Sequence, residues 1–131
     1  MSKRYLIAGS RTINLSVHQI AGALNLLSAQ GLDIEPDRDV IISGGCPTGV
    51  DLAAKKFALE YGIEYREYPA DWETHGKSAG PIRNFEMGLE ADALILIWDG
   101  ESRGSASMRG IMKRFARPIF ELIIPARSGK V

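Results

Sequence analysis

The run Val40-Ile41-Ile42-Ser43-Gly44-Gly45-Cys46-Pro47-Thr48-Gly49-Val50-Asp51 constrains the fold more than any other part of the chain. It reads as a short buried strand, a glycine-rich turn and the start of a helix. Gly44, Gly45 and Gly49 permit positive φ and remove the side chains that would hold a ligand off the backbone. The helix that follows offers N–H groups without intrahelical partners and the positive end of its dipole. The combination makes an anion seat, with phosphate as the natural occupant. A plain turn with a helix cap is the competing reading of the same residues.

Known glycine motifs narrow the chemistry. Gly44 and Gly49 have P-loop spacing, but Val50 and Asp51 stand where that motif needs Lys and Ser or Thr, so ATP hydrolysis is not expected. The dinucleotide pattern G-x-G-x-x-G is also absent, because Cys46 occupies its third place.

The rest of the chain alternates strand and helix. Tyr5 to Ala8 reads as a strand that ends at the small turn Gly9-Ser10-Arg11. Ser16 and Gln19 form a capping box, after which Val17, Ile20, Ala21, Leu24 and Leu27 recur at helical spacing until Gly31. A polar connection, Asp33 to Asp39, leads into the Val40 strand. The next helix carries Ala54, Phe57, Ala58 and Tyr61 on one face and stops at Gly62. Ile63 to Tyr68 is a third strand, polar enough for a sheet edge. Asp71 to Gly80 reads as a long loop, suited to a lid by its indole, charges and glycines. Pro81 is expected to open a helix whose Ile82, Phe85 and Leu89 face the sheet, with Arg83, Asn84 and Met87 on another side. Ala93 to Trp98 is a continuous apolar strand of the doubly covered kind, ending at Asp99-Gly100. Gly104-Ser105 opens a last helix with Met108, Ile111, Met112 and Phe115, and Pro118 to Ile124 gives a fifth strand before the polar tail Arg127 to Val131.

The resulting expectation is an α/β fold: a single domain with a Rossmann-like, doubly wound, mainly parallel five-stranded sheet, ordered three-two-one-four-five. In that order Gly9-Ser10-Arg11, Gly44 to Gly49 and Asp99 to Ser105 line one crevice at the switch point. With 131 residues, the chain is long enough to bury a core without disulfides or metal. Sixteen basic and sixteen acidic residues cancel, so no general field favours nucleic acid or an anionic membrane. One cysteine excludes an intramolecular disulfide, and no Cys/His/Asp cluster has zinc spacing, so neither metal nor cofactor is expected. Without a leader or membrane-length apolar run, the expected location is cytoplasmic.

Several of these residues also carry a family likeness. Gly9-Ser10-Arg11, Ser43-Gly44-Gly45 with Gly49-Val50-Asp51, Asp71-Trp72 with Gly76-Lys77, Ala79-Gly80, Arg83-Asn84 and Met87, and Asp99-Gly100 with Gly104-Ser105 together resemble the YspA/cpYpsA-related SLOG family. The resemblance implies a Rossmann-like domain that binds nucleotides or nucleotide-derived ligands. The wider superfamily includes the lonely-guy phosphoribohydrolases, lysine-decarboxylase-like proteins and the DNA-processing protein DprA. Its enzymes carry P-G-G-x-G-T-x-x-E, whose glutamate is associated with N-glycosidic cleavage. Here Ser105 replaces the threonine and Met108 stands at the glutamate position.

These features give the candidate site residues their roles. Arg11 and Arg83 are ordinary surface charges or, the favoured reading, donor forks for phosphate; Gly104 and Ser105 supply donors at a helix N-terminus; and Asn84 is an exposed helix residue or one suited to a base edge or ribose. Asp51 is either the capping-box partner of Thr48 or a functional carboxylate for ribose hydroxyls or water. Trp72 is a packing residue or a base-stacking one, and Lys77 is solvated or closes with the lid. Cys46 reads as a small turn residue rather than a nucleophile. The expected function is a nucleotide-binding module, with Met108 arguing against catalysis. The alternative is a nucleotide N-glycosidase using Asp51, Glu86 or Asp99 as its carboxylate; DprA-like binding of single-stranded DNA is weaker. A homodimer through helices is a further expectation.

Overall fold

The computed structural model describes residues 2–125, so the tail Arg127 to Val131 lies outside the described residues. Strands β1 (Arg4–Gly9), β2 (Val40–Ser43), β3 (Glu64–Glu67), β4 (Ala93–Trp98) and β5 (Ile119–Ile123) form one sheet in the order β3-β2-β1-β4-β5. All its neighbours pair in parallel. The connecting helices are α1 (Val17–Leu27), α2 (Gly49–Glu60), α3 (Trp72–His75), α4 (Ala79–Glu90) and α5 (Arg103–Arg114). This is the doubly wound Rossmann-like order that the alternation of elements predicts.

Successive strand residues point to opposite faces, and each face has its own core. Tyr5, Ile7, Ile41, Ile95 and Ile97 pack with Ile20, Leu24 and Leu27 of α1 and Val50, Ala54 and Phe57 of α2. Leu6, Ile42, Leu94, Leu96 and Trp98 pack with Met87 of α4 and Met108 and Met112 of α5. Helices on both faces explain why β4 is apolar without alternation: all six of its residues are buried. Each fully buried Leu or Ile contributes about 1.5–3 kcal/mol, and truncating one to Ala costs about 2–5 kcal/mol.

Helix α1 starts on the expected capping box. The Gln19 N–H donates to Ser16 Oγ at 3.0 Å, and the Ser16 N–H donates to Gln19 Oε1 at 2.9 Å. Gly31, at φ 98°, ends the short 3-10 turn that follows α1. Asp39, buried at the opposite end of the sheet from the glycine turns, ties the polar connection down. It accepts from the N–H groups of Lys3 and Glu35 at 2.9 and 2.8 Å and pairs with Arg38 at 3.0 Å. Burial alone would raise its pKa, but these partners outweigh it and hold the carboxyl at about 2.

Between β3 and β4 the structure corrects the expectation. Asp71 to Gly80 is not an open lid loop: α3 and a 3-10 turn over Gly76–Ser78 run directly into α4. That helix begins at Ala79, so Pro81 is its third residue rather than its first. Proline is tolerated there because N–H groups of a first turn have no intrahelical acceptor. The helix is also rotated from the expected pose. Ile82, Phe85 and Leu89 are exposed, whereas Ala79, Met87 and Gly88 are buried. Gly88 explains the rotation: a Cβ there would lie 2.6 Å from Ile111 Cγ2, so α4 lays this bare backbone against α5. Arg83, Asn84 and Met87 consequently turn toward the strand ends.

Candidate functional site

The turns after β1, β2 and β4 meet α4 and α5 around a crevice of about 400 Å³ at the carboxyl ends of the central strands. It is lined from β1 by Gly9, Ser10, Arg11 and Thr12, and from the β2 turn by Gly44, Cys46, Thr48 and Asp51. Arg83, Asn84 and Met87 come from α4, and Asp99, Ser102, Arg103, Gly104, Ser105 and Met108 from the β4 turn and α5. Thr12 lies just outside the turns expected to line the crevice, with adjacency to Arg11 as its only sequence signal, whereas Ser102 and Arg103 fall within the expected Asp99 to Ser105 turn. Of the remaining candidates, Trp72 and Gly45 line a neighbouring cavity, while Ser43, Gly49, Lys77 and Gly100 line neither.

Close backbone packing explains several of the glycines. A Cβ on Gly9 would collide with the carbonyl oxygen of Ile97 in β4. Gly49, at φ 69°, gives its space to protein rather than ligand: a Cβ would collide with the Ser10 carbonyl oxygen and lie 2.6 Å from Arg11 Cα. At Gly45 the displaced volume is the Glu67 side chain, and at Gly44 it is the Arg83 guanidinium, whose Nη1 would lie 2.7 Å from a Cβ.

The anion seat expected at α2 is therefore largely occupied from within. The Gly49 N–H donates to Asn14 Oδ1 at 3.1 Å, and the Val50 N–H donates to the Ser10 carbonyl at 3.3 Å. Asn14 was not anticipated, because a side chain from the distant β1–α1 loop has no sequence signature linking it to the start of α2. The capping box is absent too. Thr48 makes no side-chain cap, and Asp51 Oδ2 accepts from the Cys46 N–H at 3.1 Å. Burial pushes the Asp51 carboxyl above its ordinary pKa, against the opposing effects of the Cys46 amide, Arg83 and Arg11.

Helix α5 presents the opposite case. Its N-cap Ser102 makes no side-chain cap, and a Cβ on Gly104 would meet nothing within 4 Å. Among the described residues no side chain accepts from the N–H groups of Arg103, Gly104 or Ser105, so this first turn is free to receive an anion. Asp99 shapes the turn before it. Its Oδ1 accepts from the Glu101 and Ser102 N–H groups, each at 2.8 Å, which lowers its pKa. Ser10 stitches the turns together, accepting from the Asp99 N–H at 3.1 Å and lying 3.1 Å from Ser102 Oγ.

On the facing wall, Arg83 donates from Nη1 to the carbonyls of Gly44 at 2.7 Å and Tyr68 at 3.2 Å, and from Nε to Asn84 Oδ1 at 3.0 Å. These bonds fix the guanidinium plane beside the β2 turn. Met108 is buried at the crevice wall, where its thioether offers neither acid nor base. Glu86 is exposed and does not line the crevice, which removes it from the candidate carboxylates. Asp51 and Asp99 are the crevice carboxylates among the described residues.

Among the described residues no three or more His, Cys, Asp or Glu side chains gather in a cluster that could hold a metal ion, and no described helix is long and apolar enough to cross a membrane. In comparison with known proteins, the model of the YspA, cpYpsA-related SLOG family matches residues 4–75, more than half of the chain. The match runs from β1 through α3 and so includes Arg11 and Asp51 but stops short of Arg83 and α5. No curated protein and no solved structure matches the chain.

Proposed function

The chain belongs to the YspA, cpYpsA-related SLOG family, and from that premise we propose that its crevice captures a nucleotide or nucleotide-derived ligand as a binding module. The observation that carries this reading is the open N-terminus of α5, facing a crevice that also holds Arg11 and Arg83. A phosphate takes the N–H groups at Arg103 to Ser105, and the two guanidiniums add charge-assisted donors. Asp51 and Asn84, which have acceptors for hydroxyl groups, take the ribose. Gly44 and Ser10 act indirectly, by shaping the turns that carry these groups.

This anchoring needs no metal, so mono- and dinucleotides should raise the melting temperature in the presence of chelator. A thermal-shift panel tests it; silence from every compound, or shifts that require magnesium, would remove the reading.

A second reading, hydrolysis of a nucleotide N-glycosidic bond, is favoured by one observation: a carboxyl with a raised pKa, Asp51, in the same crevice. A group of that kind activates water or protonates a leaving base. Met108, at the position of the glutamate of the wider superfamily's enzymes, weighs against it. Chromatography for free base and ribose phosphate after long incubation separates the two. Turnover that vanishes in Asp51→Asn would make the protein an enzyme.

A further inference from the structure

A second cavity, of about 290 Å³, adjoins the crevice, and both are lined by Arg11 and Arg83. Its outer wall is Pro47, Pro69, Ala70 and Trp72, a run of flat or small apolar groups. Trp72 is 55% exposed and belongs to neither core. Its indole rests by Cη2 over Gly80, where a Cβ would lie 3.4 Å away, so α4 braces one edge of the ring and leaves the rest open. The other tryptophan, Trp98, is buried and donates to Glu121 at 2.8 Å.

The waist between the cavities is cationic. Arg11 is exposed and, among the described residues, forms no ion pair; Arg83 bonds to two carbonyls and an amide but to no carboxylate. The open α5 N-terminus lies in the first cavity and the arginine pair at its border with the second. Two anchors for anions followed by an aromatic wall describe a ligand longer than a mononucleotide.

Building on the nucleotide reading, we infer that the site takes a two-part ligand, a diphosphate that bridges two ring-bearing groups, with the outer ring stacked on Trp72. One phosphate sits on the α5 N-terminus and the other at Arg11 and Arg83. A disubstituted diphosphate carries one negative charge per phosphorus, which suits one anchor for each. Ring-on-indole stacking supplies affinity without selecting strongly among bases.

Calorimetry with AMP, ADP and P1,P2-di(adenosine-5′) diphosphate is the test. The dinucleotide should bind at least about tenfold more tightly than ADP, the order expected from one stacked base. It should also shield the exposed Trp72 emission from acrylamide. Trp72→Ala should cancel that gain while leaving ADP affinity within about twofold, and Trp72→Phe should keep most of it. Equal affinities for ADP and the dinucleotide, or an equal loss for both in Trp72→Ala, would overturn the inference and leave the nucleotide reading standing. Silence from all three compounds would remove both.

Discussion

The turns before α2 and α5 are both glycine-containing entries to a helix at the same end of the same sheet, yet they have opposite fates. Before α2, the Gly45 N–H donates to Ser43 Oγ, the Cys46 N–H to Asp51, the Gly49 N–H to Asn14 and the Val50 N–H to Ser10. Before α5, the turn is shaped by Asp99, and the first helical N–H groups are left for something else. The richer glycine motif is the one closed by protein. A glycine frees space beside the backbone, and that space is filled by the chain itself at Gly49 and left open at Gly104.

The largest test of this contrast is Gly49→Ala. A Cβ would collide with the Ser10 carbonyl at a positive φ, so a loss of about 3 kcal/mol or more is expected, read as a lower midpoint in chemical denaturation. A wild-type denaturation curve would erase the distinction between the turns. Gly49→Val should destabilise the fold for the same reason.

Asn14→Ala comes next. It strips the acceptor from the Gly49 N–H and should cost about 1 kcal/mol in urea unfolding. It should also reopen α2 to anions, seen as a larger stabilisation by inorganic phosphate than in the wild type. No added phosphate response would mean that Asn14 is not what closes the seat.

Asp51→Asn sharpens the comparison through pH. The folded pKa is raised, so the folded protein binds its proton more tightly than the unfolded chain, and the ionised form lowers stability as pH rises through that pKa. The variant should therefore melt above the wild type at pH 7, with the difference disappearing below about pH 4, the ordinary carboxyl range. A variant less stable at neutral pH would make Asp51 a structural acceptor for Cys46 first.

The smallest effect is expected at Gly104→Ala. With open space around it and helical backbone, alanine should leave stability unchanged or raise it by up to about 0.5–1 kcal/mol. The thermal response to mononucleotides should fall in the same variant, because the added methyl stands in the first turn of α5. An unchanged nucleotide shift would move the phosphate away from that helix.

Outside Asp71 to Gly80, element types and strand order were legible because they rest on local, repeated signals. The capping box at Ser16, the stop at Gly31 and the continuous apolar run of β4 each follow from a few consecutive residues. The α4 face was not legible. Ile82, Phe85 and Leu89 form the better apolar stripe, but Gly88 allows a closer approach to Ile111 and Phe115 than that stripe could, and the helix turns accordingly. Lys77 was grouped with the site by its neighbourhood in sequence, whereas the helical path through α3 keeps it out of both cavities.

The sequence by itself determined that this chain folds as a parallel α/β sheet with its small-residue turns gathered at one end, because hydrophobic period and right-handed crossovers admit few arrangements. Only the tertiary structure decided which turn stays open. That choice depends on groups far apart in the chain, Asn14 reaching Gly49 and Arg83 reaching Gly44, whose hydrogen bonds exist only once the strands have brought them together. A backbone N–H is available to a ligand when no such partner arrives, and local sequence does not record arrivals from elsewhere in the fold.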